Sequence, residues 1–137
     1  MAANTRMATA VQILCVIAYR GDGPCTSEII ARSLHTNPVV VRRLMKSMEQ
    51  AGLVGIRPGK DGGVHLLRAP ADITLDEIYR AVETETDVFA LRPTGNPKCP
   101  VDRKMPGLLG PIFTATNNAV SQTLRQTTLA SLVEAVV

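Results

Sequence analysis

Aromatic side chains are scarce in this chain of 137 residues, which has no tryptophan, two tyrosines and two phenylalanines. Proteins that bind single-stranded nucleic acid commonly stack bases on exposed aromatic rings. The composition therefore argues against that class of protein. Apolar residues still make up 45% of the sequence, and because they are mainly aliphatic they predict a small aliphatic core.

Cysteine is also sparse, and Cys15, Cys25 and Cys99 are too widely spaced to form a C-x-x-C pair. The two histidines, His35 and His65, lack metal-ligand spacing as well. This usage disfavours a disulfide scaffold and a structural zinc site, and it fits the reducing cytoplasm. We expect no metal site and interpret the histidines as structural residues or marginal DNA contacts.

A long apolar run is missing. The most apolar N-terminal segment, 7–18, is interrupted by Gln12 and is too short to span a membrane. No small-x-small cleavage site follows it, so we expect a first core helix in a cytoplasmic protein without a membrane partner. The residues that helical spacing places on the inward side are Val11, Leu14, Cys15 and Ala18.

Recognisable catalytic patterns are missing too. The pair Gly62-Gly63 near Lys60 lacks the G-x-x-x-x-G-K-[ST] spacing of a phosphate-binding loop, and the glycines fit a tight turn better. The sequence contains no evident nucleophile–base pair, carboxylate pair on a cleft or cofactor fingerprint. We therefore do not expect an enzyme.

Charge is unevenly distributed along the chain, although the net charge is only +3. Residues 1–68 carry nine lysines and arginines against four acidic residues, whereas residues 69–137 carry six against eight. The N-terminal half is therefore the candidate for contact with a polyanion.

The stretch 37–52 has the pattern of an amphipathic helix. Asn37 can cap its start, Pro38 suits the first helical position, and Gly52 permits a left-handed stop. One face is apolar and the opposite face is basic. The apolar face contains Val41, Leu44, Met45 and Met48, and the basic face contains Val39, Arg42, Arg43, Lys46 and Gln50.

A basic helix face is often only a solvated surface, but Val39 lies among these cations with no evident core to pack on. Helices that enter a major groove use their N-terminal residues, with cations for phosphates and guanines and apolar groups for thymine methyls. The candidate DNA-binding residues of this stretch are Asn37, Pro38, Val39, Val40, Arg42, Arg43 and Lys46.

The flanking segments predict a winged helix-turn-helix. Thr26 can cap a short helix that ends at about Ser33 and is joined to the next helix by about three residues. Beyond residue 52, two short apolar runs flank the turn-forming segment 57–63, which predicts a two-stranded wing. Arg57 and Lys60 in this segment, together with Thr26, complete the candidate DNA-binding set.

The C-terminal half contains a helix opened by a capping box at 74–77 and, from about Pro106 to Arg125, an apolar stripe at helical spacing. A small domain has little core left to cover such a stripe, so we expect it to pair with a second copy of the chain. A last short helix should follow to about Val136. The candidate dimer-interface residues are Leu108, Leu109, Ile112, Phe113, Val120 and Leu124.

These patterns predict a mainly α-helical fold with a small β-hairpin. Residues 1–83 form a winged helix-turn-helix DNA-binding domain, and 84–105 form a proline-rich loop that is a candidate sensor region. Residues 106–137 form the long C-terminal dimerisation helix and the terminal short helix.

Several of these segments resemble the Rrf2 family of bacterial winged-helix transcription regulators, which includes iron–sulfur and nitric-oxide sensors and cysteine-metabolism repressors. The resemblance implies a homodimer held by the long C-terminal helix, with DNA read by the third helix and the wing. The matching segments are Thr26-Ser27-Glu28-Ile29-Ile30-Ala31, Ala51-Gly52-Leu53-Val54 with Arg57 and Gly62-Gly63, residues 70–82, and Thr128-Leu129-Ala130-Ser131-Leu132.

The sequence departs from the cluster-binding members, which place three cysteines in the loop before the dimerisation helix. Here that loop has Cys99 alone, and one thiolate cannot hold a cluster in the family manner. We therefore place the chain in the subgroup without cluster ligands and expect no iron–sulfur cofactor. The wing is also longer than the Arg-Gly turn that is common in the family.

The thiols remain candidates for sensing. Cys99 lies in the loop near Lys98 and Arg103, which makes it the first candidate. Cys25 precedes a helix N-terminus, whose dipole can lower a thiol pKa, although a buried turn residue is at least as consistent with its position. Cys15 is interpreted as a small core residue.

The resulting hypothesis is a sequence-specific regulator that binds double-stranded DNA as a homodimer, acts as a repressor and responds to an oxidant or a small molecule. The alternative is a winged-helix module for protein interaction, in which the basic face meets an acidic partner without specific DNA readout.

Overall fold

The computed structural model describes residues 4–60 and 62–137. Asp61, in the predicted wing tip, and residues 1–3, in the predicted DNA-binding domain, lie outside the described residues. The elements are α1 (Arg6–Arg20), α2 (Ser27–Leu34), α3 (Pro38–Gln50), β1 (Val54–Arg57), β2 (Gly63–Leu66), a 3-10 turn (Pro70–Asp72), α4 (Leu75–Val82), α5 (Pro100–Arg125) and α6 (Leu129–Val136). The predicted fold class, mainly helical with one β-hairpin, is confirmed.

Helix α1 forms as predicted, but its inward face differs from the expected one. Of the four residues predicted to face inward, only Leu14 is fully buried, whereas Val11, Cys15 and Ala18 are half-buried. The buried residues are Ala10, Ile13, Leu14 and Ile17. The face is rotated because α1 packs against α4 and α6 as well as α2, so that C-terminal helices bury its other side.

Helices α2 and α3 form the helix-turn-helix. The connection turns at His35, which adopts a left-handed conformation with φ 51° and ψ 49°. The next amide, of Thr36, donates to the carbonyl of Ala31 at 3.0 Å. The four apolar residues of α3 are buried as predicted, and Gly52 follows the helix with φ 78°.

The predicted wing is confirmed as an antiparallel hairpin in which Val54 pairs with Leu66 and Arg57 pairs with Gly63. Gly63 has φ 149°, and a Cβ there would lie 2.4 Å from the carbonyl oxygen of Cys25. The glycine is needed because β2 approaches the start of α2 this closely.

Two short segments join the C-terminal helices to each other. The amide of Leu75 donates to the carbonyl of Thr127 at 3.0 Å, and the amide of Leu129 donates to the carbonyl of Ile73 at 2.8 Å. The capping box is half-formed: Thr74 Oγ1 accepts from the Glu77 amide at 3.3 Å, while the Glu77 carboxylate pairs with Arg68.

The long helix begins earlier than the sequence predicted. It starts at Pro100 rather than about Pro106, so the loop of 84–105 is wrong at its C-terminal end. Pro106 and Pro111 both lie inside the helix, where each removes one intrahelical hydrogen bond. The first turn is nevertheless held, because Asp102 accepts hydrogen bonds from the loop, as described below.

Candidate nucleic-acid interface

The outer face of α3 is open to solvent. Arg42, Arg43 and Lys46 are exposed, and Val39 is 50% exposed. The opposite face is fully engaged in the core through four buried residues. The cations and the exposed valine are therefore presented together on a helix whose orientation is fixed by packing.

The first residues of α3 shape the helix as well as its surface. Asn37 Oδ1 accepts a hydrogen bond from the Val39 amide at 2.8 Å, and Pro38 occupies the first helical position. Val40 is also exposed, next to Val39. Two apolar side chains thus stand at the helix N-terminus, the end that enters a major groove in helix-turn-helix proteins.

Thr26, Arg42 and Arg57 line one groove of about 340 Å³ between α2, α3 and the wing. Thr26 Oγ1 accepts from the Ile29 amide at 3.2 Å, so its hydroxyl caps α2. Three predicted site residues from three elements therefore surround one concave surface. Two arginines beside a helix N-terminus form a favourable environment for a phosphate group.

Arg42 has an acidic neighbour on α2. Its Nη1 lies 3.5 Å from Glu28 Oε1, and both side chains are more than half exposed. The Glu28 backbone amide and Ser27 are the main causes that lower the pKa of Glu28, with a smaller contribution from Arg42. Exposed pairs of this kind contribute little stability, so an incoming phosphate can displace Glu28 from Arg42.

Lys60 and Arg57 are exposed at the outer end of the wing. Arg57 pairs with Gly63 at the outer end of the hairpin, and Lys60 lies between these two residues in the chain. The wing therefore carries one cation at the end of β1 and one beyond it, beside the α3 face.

The predicted dimer residues lie along α5, of which only Ser121 is buried within one chain. Leu108 is 62% exposed and Ile112 is 59% exposed. Leu109, Val120 and Leu124 are half-buried, as is Phe113, whose ring lies 5.4 Å from that of Phe89 in the loop. A single chain thus leaves much of this apolar stripe uncovered.

The thiols have different surroundings. Cys25 is buried beneath the wing, and burial raises the pKa of its thiol although the charge of Arg20 opposes this shift. The direction is opposite to the lowering that the helix dipole could cause. Burial also raises the pKa of Cys15, beside the core. Cys99 is half-buried at the N-cap of α5, where it lines a cavity of about 580 Å³ together with Met105 and Phe113.

Two carboxylates, Asp102 and Asp76, make contacts that the sequence does not predict. Asp102 Oδ2 accepts from the amides of Gly95 at 2.9 Å and Asn96 at 2.6 Å, and Oδ1 accepts from Arg92 at 3.1 Å. These contacts fasten the loop to α5. Asp76 is buried between α4 and α5. Their partners lie in other segments, so spacing gave no signal for either.

The comparisons with known proteins cover nearly the whole chain. Residues 3–135 match the Rrf2 family model, which is described as an iron-dependent transcriptional regulator. The chain belongs to the Rrf2 family. YwnA of Bacillus subtilis strain 168, named as an HTH-type transcriptional regulator, is 40% identical over 126 residues, covering 92% of each chain.

Solved Rrf2-like structures agree with this assignment. A protein described as DNA-binding has a crystal structure that superposes with a TM-score of 0.75 and 37% identity, covering 93% of this chain and 97% of the other. CymR, the global cysteine regulator of Bacillus subtilis, superposes with a TM-score of 0.72 at 24% identity, covering 98% and 97%. This second likeness supports the winged-helix fold.

The chain is therefore a DNA-binding transcriptional regulator of the Rrf2 family and not an enzyme. The residues present do not fit an iron–sulfur cluster held in the family manner, because Cys99 is the only cysteine in 84–105. Among residues 4–60 and 62–137, no three His, Cys, Asp or Glu side chains are grouped as metal ligands. In the same residues, no helix has the length and apolar character needed to cross a bilayer.

Proposed function

We propose that this protein is a repressor that binds an operator in double-stranded DNA as a homodimer. Arg43 and Lys46 contact phosphates or guanine edges, and Val39 and Val40 contact thymine methyls. Arg42, Arg57 and Lys60 contact the sugar-phosphate backbone beside the groove. The observation that carries the proposal is the exposed basic face of α3 beside the wing, on a helix whose other face is fully buried.

The homodimer is supported by the uncovered stripe of α5. Leu108 and Ile112 are exposed one turn apart, and the helix is about 39 Å long. Pairing of two such helices removes apolar surface from water and holds two α3 helices at a fixed separation. A twofold dimer then reads two half-sites about one turn of DNA apart.

The sensing part of the proposal concerns Cys99. Its thiol borders an apolar cavity at the junction of the loop and α5, so its oxidation or a bound small molecule would disturb the start of the dimer helix. No cluster takes part in this scheme, because the loop supplies a single thiolate.

The first experiment selects bound duplexes from a random library and measures affinity by fluorescence anisotropy. Replacing Arg43 by Ala should weaken binding to the selected duplex by about 10-fold to 100-fold. Lys104→Ala, which removes the same charge from the exposed surface of α5, is the matched control and should have little effect. Equal affinities for the wild type and Arg43→Ala would show that α3 does not read the operator.

The dimer and the sensor have separate tests. Ile112→Asp should convert a dimer into a monomer in sedimentation, because it places a charge in the apolar stripe. Oxidant should change operator affinity of the wild type and leave Cys99→Ser unchanged. If the selection yields no preferred duplex while the protein captures acidic proteins through α3, the interaction-module alternative is favoured instead.

A further inference from the structure

Asp76 is a charged residue in a mainly apolar interior. It is 4% exposed and lies in the first turn of α4. Its Oδ2 accepts hydrogen bonds from Arg80 at 3.2 Å and from Arg125 at 3.3 Å. Arg80 belongs to α4, whereas Arg125 is the last residue of α5. One carboxylate oxygen therefore joins the DNA-binding half to the C-terminal end of the long helix.

A second hydrogen bond reinforces this junction. Arg80 Nη2 donates to Ser121 Oγ at 3.2 Å, and Ser121 is 6% exposed. Ser121 lies four residues before Arg125, one helical turn earlier along α5. The α4 side therefore contacts two successive turns of α5 through polar groups, which fixes rotation of the helix as well as its position.

The charge of Asp76 is maintained at this buried position. Burial by itself raises the pKa of Asp76, but the hydrogen bond from Arg80, the nearby Ser121 hydroxyl, the charge of Arg80 and the hydrogen bond from Arg125 outweigh it. The pKa therefore lies below its ordinary value. Oδ1 has no hydrogen-bond partner in the part of the chain that the structure describes. Replacing a buried ion pair by apolar packing often leaves stability unchanged, so the role of this pair is sought in the geometry that it sets.

We propose that Asp76 is a positioning residue that sets the angle between α5 and the DNA-binding half, and through it the spacing of the two α3 helices on DNA. This inference rests on the proposed homodimer. Because α5 is about 39 Å long, a tilt of about 10° about its C-terminal end moves its N-terminal end by about 7 Å. That displacement equals about two base-pair steps of DNA. If the C-terminal end of α5 were not fixed, the dimer would therefore accept a range of half-site spacings.

The test compares Asp76→Asn with the wild type on duplexes whose two selected half-sites are separated by one to three base pairs more or fewer. A single half-site serves as a further duplex. The wild type should lose roughly tenfold in affinity for each base pair of misplacement, and Asp76→Asn less than about threefold. Affinity for the single half-site should be unchanged, which a merely structural role would not predict.

Two further variants keep the test decisive if Asp76→Asn does not fold. Arg125→Gln changes only the Asp76–Arg125 ion pair and leaves the Arg80–Ser121 contact in place. The Arg125 side chain is 63% exposed, and its replacement should broaden the spacing profile in the same way. Glu77→Gln is the matched control, because the Glu77 carboxylate pairs with Arg68 inside the DNA-binding half. It should keep the sharp profile.

The outcomes separate the two proposals. A wild-type protein that is monomeric or selects no duplex overturns the proposed function and this inference with it. If the wild type and Arg125→Gln both show the same sharp optimum of half-site spacing, this inference is overturned and the proposed function is not. Equal losses of half-site and full-site affinity in both variants also overturn it, because they indicate general unfolding.

Discussion

The backbone carbonyl of Cys25 accepts a hydrogen bond from the amide of Val64 at 2.7 Å. This bond links the residue before the α2 cap to the second strand of the wing. The groove that contains Thr26, Arg42 and Arg57 therefore depends on a backbone contact as well as on side chains.

The first prediction concerns Gly63, whose positive φ and close approach allow this contact. In Gly63→Ala the new Cβ would lie 2.4 Å from the Cys25 carbonyl oxygen, so the hairpin must move away from α2. We expect a loss of at least about 2 kcal/mol in the free energy of unfolding, measured with urea. Gly59→Ala is the control, because Gly59 also has positive φ but its Cβ would meet nothing within 4 Å; it should cost about 1 kcal/mol.

The second prediction concerns Glu28, which lies beside Arg42. Replacing Glu28 by Gln removes a negative charge from the groove and frees the guanidinium for a phosphate, so operator affinity should rise by about twofold to fivefold. Anisotropy titrations at low and moderate salt check this. Glu134→Gln, a change of the same charge on the exposed surface of α6, should have a smaller effect. Unchanged or weaker binding by Glu28→Gln would mean that Arg42 does not meet the phosphate backbone.

The helix-turn-helix and wing could be predicted from sequence because their signals are local. Asn37, Pro38 and Gly52 mark the ends of α3 at or beside its own termini, and the glycines of the wing mark its turn. The inward face of α1 could not be predicted, because helices from the other end of the chain decide which residues they cover. Asp76 was missed for the same reason, since Arg125 lies 49 residues away.

The start of α5 was missed for another reason. The prolines of 84–105 predict an irregular loop, yet Pro100 suits the first helical position, and the prolines inside the helix each remove only one hydrogen bond. The compensating contacts come from the loop, where two amides and Arg92 bind Asp102. Spacing alone does not reveal contacts of this kind.

The third prediction concerns His35, the one non-glycine residue with positive φ among those the structure describes. A Cβ is unfavourable in this conformation, so His35→Gly should stabilise the fold by roughly 0.5–1 kcal/mol in urea unfolding. His35→Ala keeps the Cβ and should bring no such gain. If alanine stabilised as much as glycine, the imidazole rather than the backbone conformation would be the source of the strain.

The fourth prediction concerns the acid stability that Asp102 provides. Hydrogen bonds from the amides of Asn96 and Gly95, with the charge of Arg92, lower its pKa from the ordinary value of 3.8. The folded protein therefore binds this proton less readily than the unfolded chain. The stabilisation is present in full above the ordinary pKa and is lost as pH falls through the lower folded value.

Asp102→Asn isolates this contribution. The difference in free energy of unfolding between the wild type and the variant should be constant above about pH 5 and should shrink as the pH falls below about 4. Urea unfolding at a series of pH values measures it, and the amide NMR signals of Gly95 and Asn96 report whether the loop leaves α5. Asp72→Asn changes an exposed carboxylate in the 3-10 turn and is the control for the general effect of charge. A difference that grows toward low pH would show that Asp102 is destabilised, rather than stabilised, by its contacts.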